Sequence, residues 1–365
     1  MESLFSVYLP MIAASLLFAA MALYGRPQKV RGLFWILAAI IPILVATFRY
    51  DNGADYLMYD RMYNSILATG DFNVIKTTEV GFKWLIKICG FFSSDSLILF
   101  FVCAVLISAF YYKGIVNLVD TKHDVILGIL LFYATGTYFD SFNGIRQYIA
   151  AAIVFWGFTF VVEGKAKKWI ITVCIAALFH YTALIMIPLY LIRKLNFSIK
   201  RSLIIIVASW FGGSIVYSLV SYVLQFTRYS YFLTSVEYEI MPTEASTLYI
   251  SILTVFLIIA VLLHRKNRNS PVSLFGKTEL MLNMHVLTLC TVLLSWTVPL
   301  MWRVQYYFLP MEMVIVPIGL NLVPNKLARR LMKIVVFIIY FVIVLHGILQ
   351  NDWFDCVPYK FYFNR

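Results

Sequence analysis

Three arginines and a histidine draw attention because they lie at the ends of long apolar runs. Arg49 closes one run, Arg146 and Arg303 each begin another, and His180 ends a fourth. Ionisable groups are costly inside a membrane, so their presence there indicates function. A guanidinium donates a planar fork of hydrogen bonds that fits a pyrophosphate, and a neutral imidazole can take a proton from a hydroxyl. These residue types suit a site for a lipid-linked diphosphate leaving group.

Acidic and aromatic residues surround Arg49 in the segment TFRYDNGADYLMYDRMYNSI. Asp55 and Tyr59 are four positions apart, so on a helix they share one face, which suits a carboxylate aligned by a phenol. Acids and aromatics together also supply the hydroxyl acceptors and apolar ring faces that a sugar-binding groove needs. The alternative is that Arg49 has no binding role and only extends its charged end to the membrane surface, beside a solvated loop.

Structural roles compete with functional ones at the other polar positions. Arg146 stands at the start of a span beside Gln147, and it could simply pair with Asp140 on the same loop. His180 could only hydrogen-bond a neighbouring helix. His285 lies within a span with no obvious partner, as does His346, and for these two histidines we expect structural roles.

The composition indicates a membrane protein. Of 365 residues, 62% are hydrophobic and 13% are charged, whereas a soluble domain has about 25% charged residues. No alternating ten-residue segments of a barrel occur, so we predict an all-α polytopic membrane protein forming a single integral membrane domain over residues 1–365. The five cysteines lack metal-ligand spacing. No phosphate-cradling glycine loop is present, so neither a cofactor nor nucleic acid is expected.

Several apolar runs reach the roughly 20 residues needed to cross a bilayer. They begin near Leu4, Gly32, Leu97, Val125, Ile145, Ser202, Leu248, Glu279, Arg303 and Leu331. Clusters of Lys and Arg between the runs are assigned to the cytoplasm by the positive-inside rule. Residues 169–192 have basic residues at both ends, so we predict a short helical hairpin with His180 at its turn. The total is about 12 transmembrane segments, with both termini outside.

The predicted outer face includes two long loops, residues 49–95 and 225–247. The second loop carries Arg228 and three acids, Glu237, Glu239 and Glu244. Acids at this spacing without histidine or cysteine are a weak signal for a cation, so no metal is expected. The C-terminal tail also lies outside in this topology. Any chemistry is therefore expected outside, because the cytoplasmic loops are short and basic.

The order of short motifs along the chain resembles the EpsG family of bacterial exopolysaccharide proteins, which look like Wzy-type polysaccharide polymerases. The matching segments are FRYDNGADYLMY, EVGF, FNGIRQYIAAAI, AALFHYTALI, WRVQYYF and VPYK. They run from the second span to the C-terminus. The loop at residues 225–246 matches only loosely, as expected if it recognises a particular polymer.

The resemblance implies a GT-C-like glycosyltransferase of the bacterial cytoplasmic membrane, with its active site on the extracytoplasmic side. Its donor would be a chain linked to a polyprenyl diphosphate, and its acceptor a sugar hydroxyl of another lipid-linked unit. Arg49, Arg146 and Arg303 would hold the diphosphate. Either Asp55 or His180 would take the hydroxyl proton. Other implied substrate contacts are Tyr59, Glu79, Gln147, Arg228, Tyr306 and Tyr307. Membrane lipids, a flippase and a chain-length regulator are the expected partners.

Three other functions remain open at this stage. A flippase for lipid-linked oligosaccharide would also need an arginine-lined cavity, but it predicts charges spread through the membrane's depth and an inverted repeat. A membrane O-acyltransferase could use the histidine, although no motif for an acyl donor is visible. A purely structural assembly subunit is the third alternative.

The hairpin makes a topological prediction. In a cysteine-free background, a Tyr181→Cys variant should react with a membrane-impermeant maleimide added outside intact cells, because residue 181 lies at the outer turn. Lys167→Cys, in the basic tract before the hairpin, should react only after permeabilisation. Labelling of Tyr181→Cys from the inside alone would contradict the topology.

Overall fold

The computed structural model describes residues 3–25, 27–72, 78–226, 230, 244–267, 276–350 and 354–364. Within these ranges every regular element is helical, apart from one isolated antiparallel bridge between Arg49 and Phe361. The all-α prediction is confirmed. The predicted outer loop at residues 49–95 contains two helices, and Arg228 of the second loop lies outside the described residues.

The chain divides into two compact units. Unit 1 comprises Met1–Ile187 with Phe341–Arg365, and unit 2 comprises Pro188–Tyr340. The helices that begin in unit 1 are α1 (Leu9–Tyr24), α2 (Arg31–Thr47), α3 (Tyr56–Thr69), α4 (Val80–Gly90), α5 (Leu97–Leu118), α6 (Lys122–Ala134), α7 (Thr137–Asp140), α8 (Ile145–Val162) and α9 (Ala166–Ala177), with a 3-10 helix at Tyr181–Lys194. The helices that begin in unit 2 are α10 (Ile199–Phe211), α11 (Gly213–Leu224), α12 (Glu244–Lys266), α13 (Lys277–Leu294), α14 (Met301–Phe308), α15 (Glu312–Leu320) and α16 (Lys326–Gln350).

Six described helical segments are long and apolar enough to cross a membrane: Leu4–Tyr24, Gln28–Thr47, Leu97–Leu118, Ile145–Val162, Ser246–Lys266 and Lys326–Leu349. A seventh is possible if α10 and α11, bent by 64° at Gly212, form one broken span. These helices support the prediction of a polytopic membrane protein. The other predicted runs form shorter or broken helices, such as α6, α14 and α15, and the total of about 12 crossings stays a prediction.

Unit 1 is held together by small residues and hydroxyl groups between its spans. A Cβ on Gly114 of α5 would lie 2.5 Å from the Phe155 ring of α8, so glycine allows these helices to pack closely. Ser15 of α1 donates to the carbonyl of Ala38 at 2.8 Å and lies 2.8 Å from the Tyr112 hydroxyl of α5. Both devices are typical of helix packing in membranes, where the hydrophobic effect does not drive helices together.

The chain reverses direction after α9. The indole of Trp169 donates to the carbonyl of Ile187 at 3.1 Å. In one continuous α-helix these residues, 18 positions apart, would be about 27 Å apart. The chain therefore folds back between Ala177 and Tyr181, as the hairpin prediction required, and His180 lies in the turn. The side of the membrane stays a prediction.

The C-terminal segment packs against the loop after α2. The side-chain amide of Asn52 donates to the carbonyl of Pro358 at 2.9 Å, and its oxygen accepts from the Lys360 backbone N–H at 2.7 Å. The Tyr50 backbone N–H donates to the Lys360 carbonyl at 2.8 Å. Val357-Pro358 is a cis peptide. The tail is therefore a structural part of unit 1.

In unit 2, α13 packs against α10, α12, α14 and α15. His285 is buried in this packing, contrary to the expectation that it lacks a partner. Its Nδ1 lies 3.1 Å from Glu312 Oε1 on α15, and its Nε2 lies 2.9 Å from the Thr254 hydroxyl on α12. Glu312 is fully buried, so the imidazole compensates a carboxyl group that cannot reach water.

Replacing His285 tests the importance of this pair. The His285→Ala substitution should destabilise the protein by about 3–5 kcal/mol, because it leaves a buried carboxyl without its partner. Thermal unfolding in detergent measures the change. His346→Ala, at an exposed position of α16, is the matched control and should unfold like the wild type. Equal stabilities of the two variants would contradict a pairing role for His285.

Candidate functional site

Asp55 connects the segment after α2 to the loop before α8. It precedes α3, and its Oδ2 accepts a hydrogen bond from the Gly144 backbone N–H at 2.8 Å. Gly144 has φ 45°, in the left-handed region that glycine adopts without strain. The other carboxylate oxygen of Asp55 makes no hydrogen bond to any described residue, so it is available to a ligand.

Tyr59 contacts the same loop from the next turn of α3. Its buried hydroxyl accepts from the Arg146 backbone N–H at 3.5 Å. Asp55 and Tyr59 therefore share one face, as their spacing predicted. Burial raises the pKa of Tyr59 to about 12, against the opposing effect of the Arg146 charge. The phenol is therefore protonated at neutral pH and suits hydrogen bonding rather than proton removal.

Arg146 forms an ion pair with Glu79. The Glu79 carboxylate, 2% exposed, accepts from an Nη of Arg146, whose side chain is 19% exposed. The Nε of Arg146 has no hydrogen-bond partner in the described part of the chain. The expected alternative, a pair with Asp140, is wrong. Asp140 instead accepts a 2.5 Å hydrogen bond from the Tyr148 hydroxyl, eight positions further along the chain.

Glu79 also contacts the turn that carries His180. Its Oε1 accepts from the Tyr181 backbone N–H at 3.4 Å. Two residues later, the Gly81 N–H donates to the carbonyl of Leu178 at 2.8 Å. A Cβ at Gly81 would lie 2.6 Å from that carbonyl oxygen. Glycine is required here because the start of α4 lies directly against the end of α9.

His180 is largely buried at this turn. Its Nδ1 forms a 2.6 Å hydrogen bond with the hydroxyl of Thr182, which fixes the orientation of the ring. Thr182 was not predicted, and no feature of the sequence other than its proximity to His180 indicates it. Gln147, next to Arg146 in the sequence, is buried at the start of α8. Asp55, Tyr59, Glu79, Arg146 and His180 thus form one connected set in unit 1.

Asp140 is a further titratable group, at the end of α7 and just before the loop that contacts Asp55. Burial raises the pKa of its carboxyl to about 6, although the hydrogen bond from Tyr148 opposes that rise, and the charge of Asp55 adds to it. Asn143, on the same loop, donates to the carbonyl of Phe354 at 3.1 Å, and its Oδ1 has no partner among the described residues. Sequence analysis had given neither residue a role in binding.

Arg49 differs from Arg146 because it lies in the interior, 2% exposed. It donates to the carbonyls of Asn52 (3.1 Å), Phe142 (3.4 Å) and Ala46. Its guanidinium carbon lies 4.5 Å from the centre of the Phe142 ring and 5.0 Å from that of Phe100. Because of these contacts, the guanidinium is already engaged by the protein. Arg49 therefore stabilises the loop that leads to Arg146.

Three further predicted site residues are Arg303, Tyr306 and Tyr307. Arg303 is on α14 in unit 2, with its guanidinium 4.8 Å from the centre of the Trp302 ring. Tyr306 is beside the same indole at 5.7 Å between ring centres, and Tyr307 is buried. Their contact with substrate stays a prediction. Among the described residues, no three His, Cys, Asp or Glu side chains are grouped so that they could hold a metal ion.

Comparison with known proteins agrees with the motif order. The model of the EpsG family matches residues 32–361, nearly the whole chain. This range includes all the residues of the connected set. No curated protein and no solved structure gives a significant match. The chain belongs to the EpsG family.

Proposed function

We propose that this protein is an exopolysaccharide repeat-unit polymerase of the bacterial cytoplasmic membrane. It transfers a chain from a polyprenyl-diphosphate donor to a sugar hydroxyl of a lipid-linked acceptor at the extracytoplasmic face. The observation that carries the proposal is Arg146. In an EpsG-family chain, this arginine at the start of a span is held by the buried Glu79, and its side chain remains partly exposed.

Arg146 binds the donor diphosphate in this proposal. The guanidinium remains charged at any relevant pH and offers planar donors to phosphate oxygens. The ion pair with Glu79 uses one nitrogen of the guanidinium and thereby fixes the orientation of the other two. The negative charge that builds on the leaving diphosphate is then stabilised by a donor that is already oriented.

Asp55 takes the proton of the acceptor hydroxyl. One of its oxygens is fixed by Gly144 and the other is available. The hydroxyl oxygen forms a bond to the anomeric carbon while the bond from that carbon to the diphosphate oxygen breaks. The diphosphate leaves with the electron pair, and the proton passes to Asp55. One base suffices if the anomeric carbon inverts. Tyr59 aligns this carboxylate, and His180 binds the sugar or a phosphate oxygen.

We also propose, from their chemistry alone, that Arg228, Arg303, Tyr306, Tyr307 and Gln147 contribute contacts to the donor or acceptor. A GT-C-like fold, a flippase that supplies the lipid-linked units and a regulator of chain length are further parts of the proposal. They rest on the resemblance to polymerases.

The first test is chain elongation by the purified protein. With the lipid-linked repeat unit of its host, the wild type should give a ladder of longer chains on a gel. Arg146→Ala should elongate at least about 100-fold more slowly, because it lacks a donor to the leaving group. Arg61→Ala, at an exposed position of α3, should behave like the wild type.

One further variant and three alternative outcomes make this test decisive. The double variant Glu79→Gln/Arg146→Gln removes both charges of the pair together, so folding survives while elongation is lost. Substrate binding without a ladder in the wild type would favour transport, and addition of acyl mass alone would favour an acyltransferase. A normal ladder from the double variant would overturn the role of Arg146.

The second test separates the two candidate bases. Asp55→Asn retains an oxygen for the Gly144 N–H, so donor binding should persist while elongation falls by about 10²–10⁴-fold. Asp60→Asn on the same helix, which contacts Ser96 rather than the Gly144 loop, serves as the control. A wild-type rate in Asp55→Asn combined with loss of activity in His180→Gln would assign the base to His180.

A further inference from the structure

The helix α4 is too short to cross a membrane. Its 11 residues span about 16 Å, whereas the hydrocarbon core is about 30 Å thick. It lies between two features whose surroundings are defined. Glu79 of the site immediately precedes it, and the span Leu97–Leu118 begins shortly after its end. A helix connected so closely to the start of a span lies near the membrane surface.

The two faces of α4 differ in character. Phe82, Ile86 and Cys89 are buried within unit 1, at the spacing of one helical face. Trp84 and Ile88 on the opposite face are half exposed. The helix is therefore amphipathic, but its outward face presents aromatic and aliphatic side chains beside Lys87 rather than a wholly polar surface.

The turn after α4 extends this apolar surface. Phe91 is 81% exposed and Phe92 is 79% exposed. Two adjacent aromatic rings are costly to leave in water, and contiguous apolar surface of this kind marks an interaction site. Because the turn directly precedes a membrane span, the interfacial region of the bilayer is the apolar environment within its reach. Aromatic residues are enriched in that region.

The charge on α4 has one sign. The helix contains Lys83 and Lys87 and no acidic residue. The Lys87 ammonium lies 5.4 Å from the centre of the Trp84 ring and 5.6 Å from that of Phe72, so the cation is held beside the apolar surface. Lysines combined with aromatics on a short amphipathic helix are typical of segments that lie on anionic membranes.

We propose that α4 and the Phe91-Phe92 turn dock on the bilayer surface, with Lys83 and Lys87 bound to anionic phospholipid headgroups. Docking would anchor the helix whose first turn adjoins Glu79, and would thereby hold the Glu79–Arg146 pair at a fixed depth. The docking itself is independent of the polymerase activity. Only the consequence for Arg146 rests on the proposed function.

Hydrogen exchange of the full-length protein in nanodiscs tests the docking. Amides of residues 80–92 should exchange more slowly in nanodiscs containing phosphatidylglycerol than in nanodiscs of phosphatidylcholine alone. Each lysine near an anionic surface contributes about fivefold, so the slowing should reach up to about 25-fold. The Lys83→Gln/Lys87→Gln variant should lose this dependence on lipid charge. Lys167→Gln/Lys168→Gln, with the same charge change in the exposed basic tract at α9, should retain it.

A second variant separates the apolar contribution. Phe91→Ser/Phe92→Ser should raise exchange in both kinds of nanodisc, because it removes the inserted rings but keeps the lysines. Equal exchange of the wild type in both nanodiscs, or loss of the lipid effect in the α9 control, would overturn the proposal. Lipid-dependent protection without any polymer ladder would leave the docking intact and refute the polymerase instead.

Discussion

The candidate site depends on one buried carboxylate, that of Glu79. An uncompensated charge at this position would cost several kcal/mol, so its two oxygens must be satisfied by the protein. Arg146 from α8 contacts one oxygen, and the Tyr181 backbone from the hairpin turn contacts the other. Because Glu79 also immediately precedes α4, a single side chain fixes the relative positions of α4, α8 and the turn after α9. The arginine is oriented as a consequence of satisfying the acid.

Glycines allow the backbones around this pair to approach one another. A Cβ on Gly81 would lie 2.6 Å from the Leu178 carbonyl oxygen, and one on Gly53 would lie 2.8 Å from that of Phe142. Gly53 also has φ 90°, a conformation that other residues rarely adopt. The backbones of the motifs DNGAD and FNGIR, far apart in the sequence, thus lie in direct contact. The close approach explains Gly53 and the positive φ explains Gly144, independently of any catalytic role.

Local sequence patterns predicted the all-helical fold and two local features, but not which side chains pair across the fold. The spacing of Asp55 and Tyr59 predicted a shared face, and the basic residues around 169–192 predicted the reversal at His180. The first inference uses helix geometry and the second uses the distribution of charge, and both concern residues close together in the sequence. The alternative that paired Arg146 with Asp140 is wrong, because a sequence gives no means to see that Glu79, 67 positions earlier, reaches the same point. The pairing of His285 with Glu312 was missed for the same reason.

Arg49 and Arg146 show why residue type alone cannot assign a binding role. Both lie near the end of an apolar run and both were expected to bind diphosphate. Carbonyl oxygens and aromatic rings enclose the guanidinium of Arg49, so a ligand would have to displace three hydrogen bonds and the ring contacts to reach it. Arg146 has one carboxylate partner, and its side chain is partly exposed. A ligand can therefore bind Arg146 without dismantling the fold, which makes it the stronger candidate.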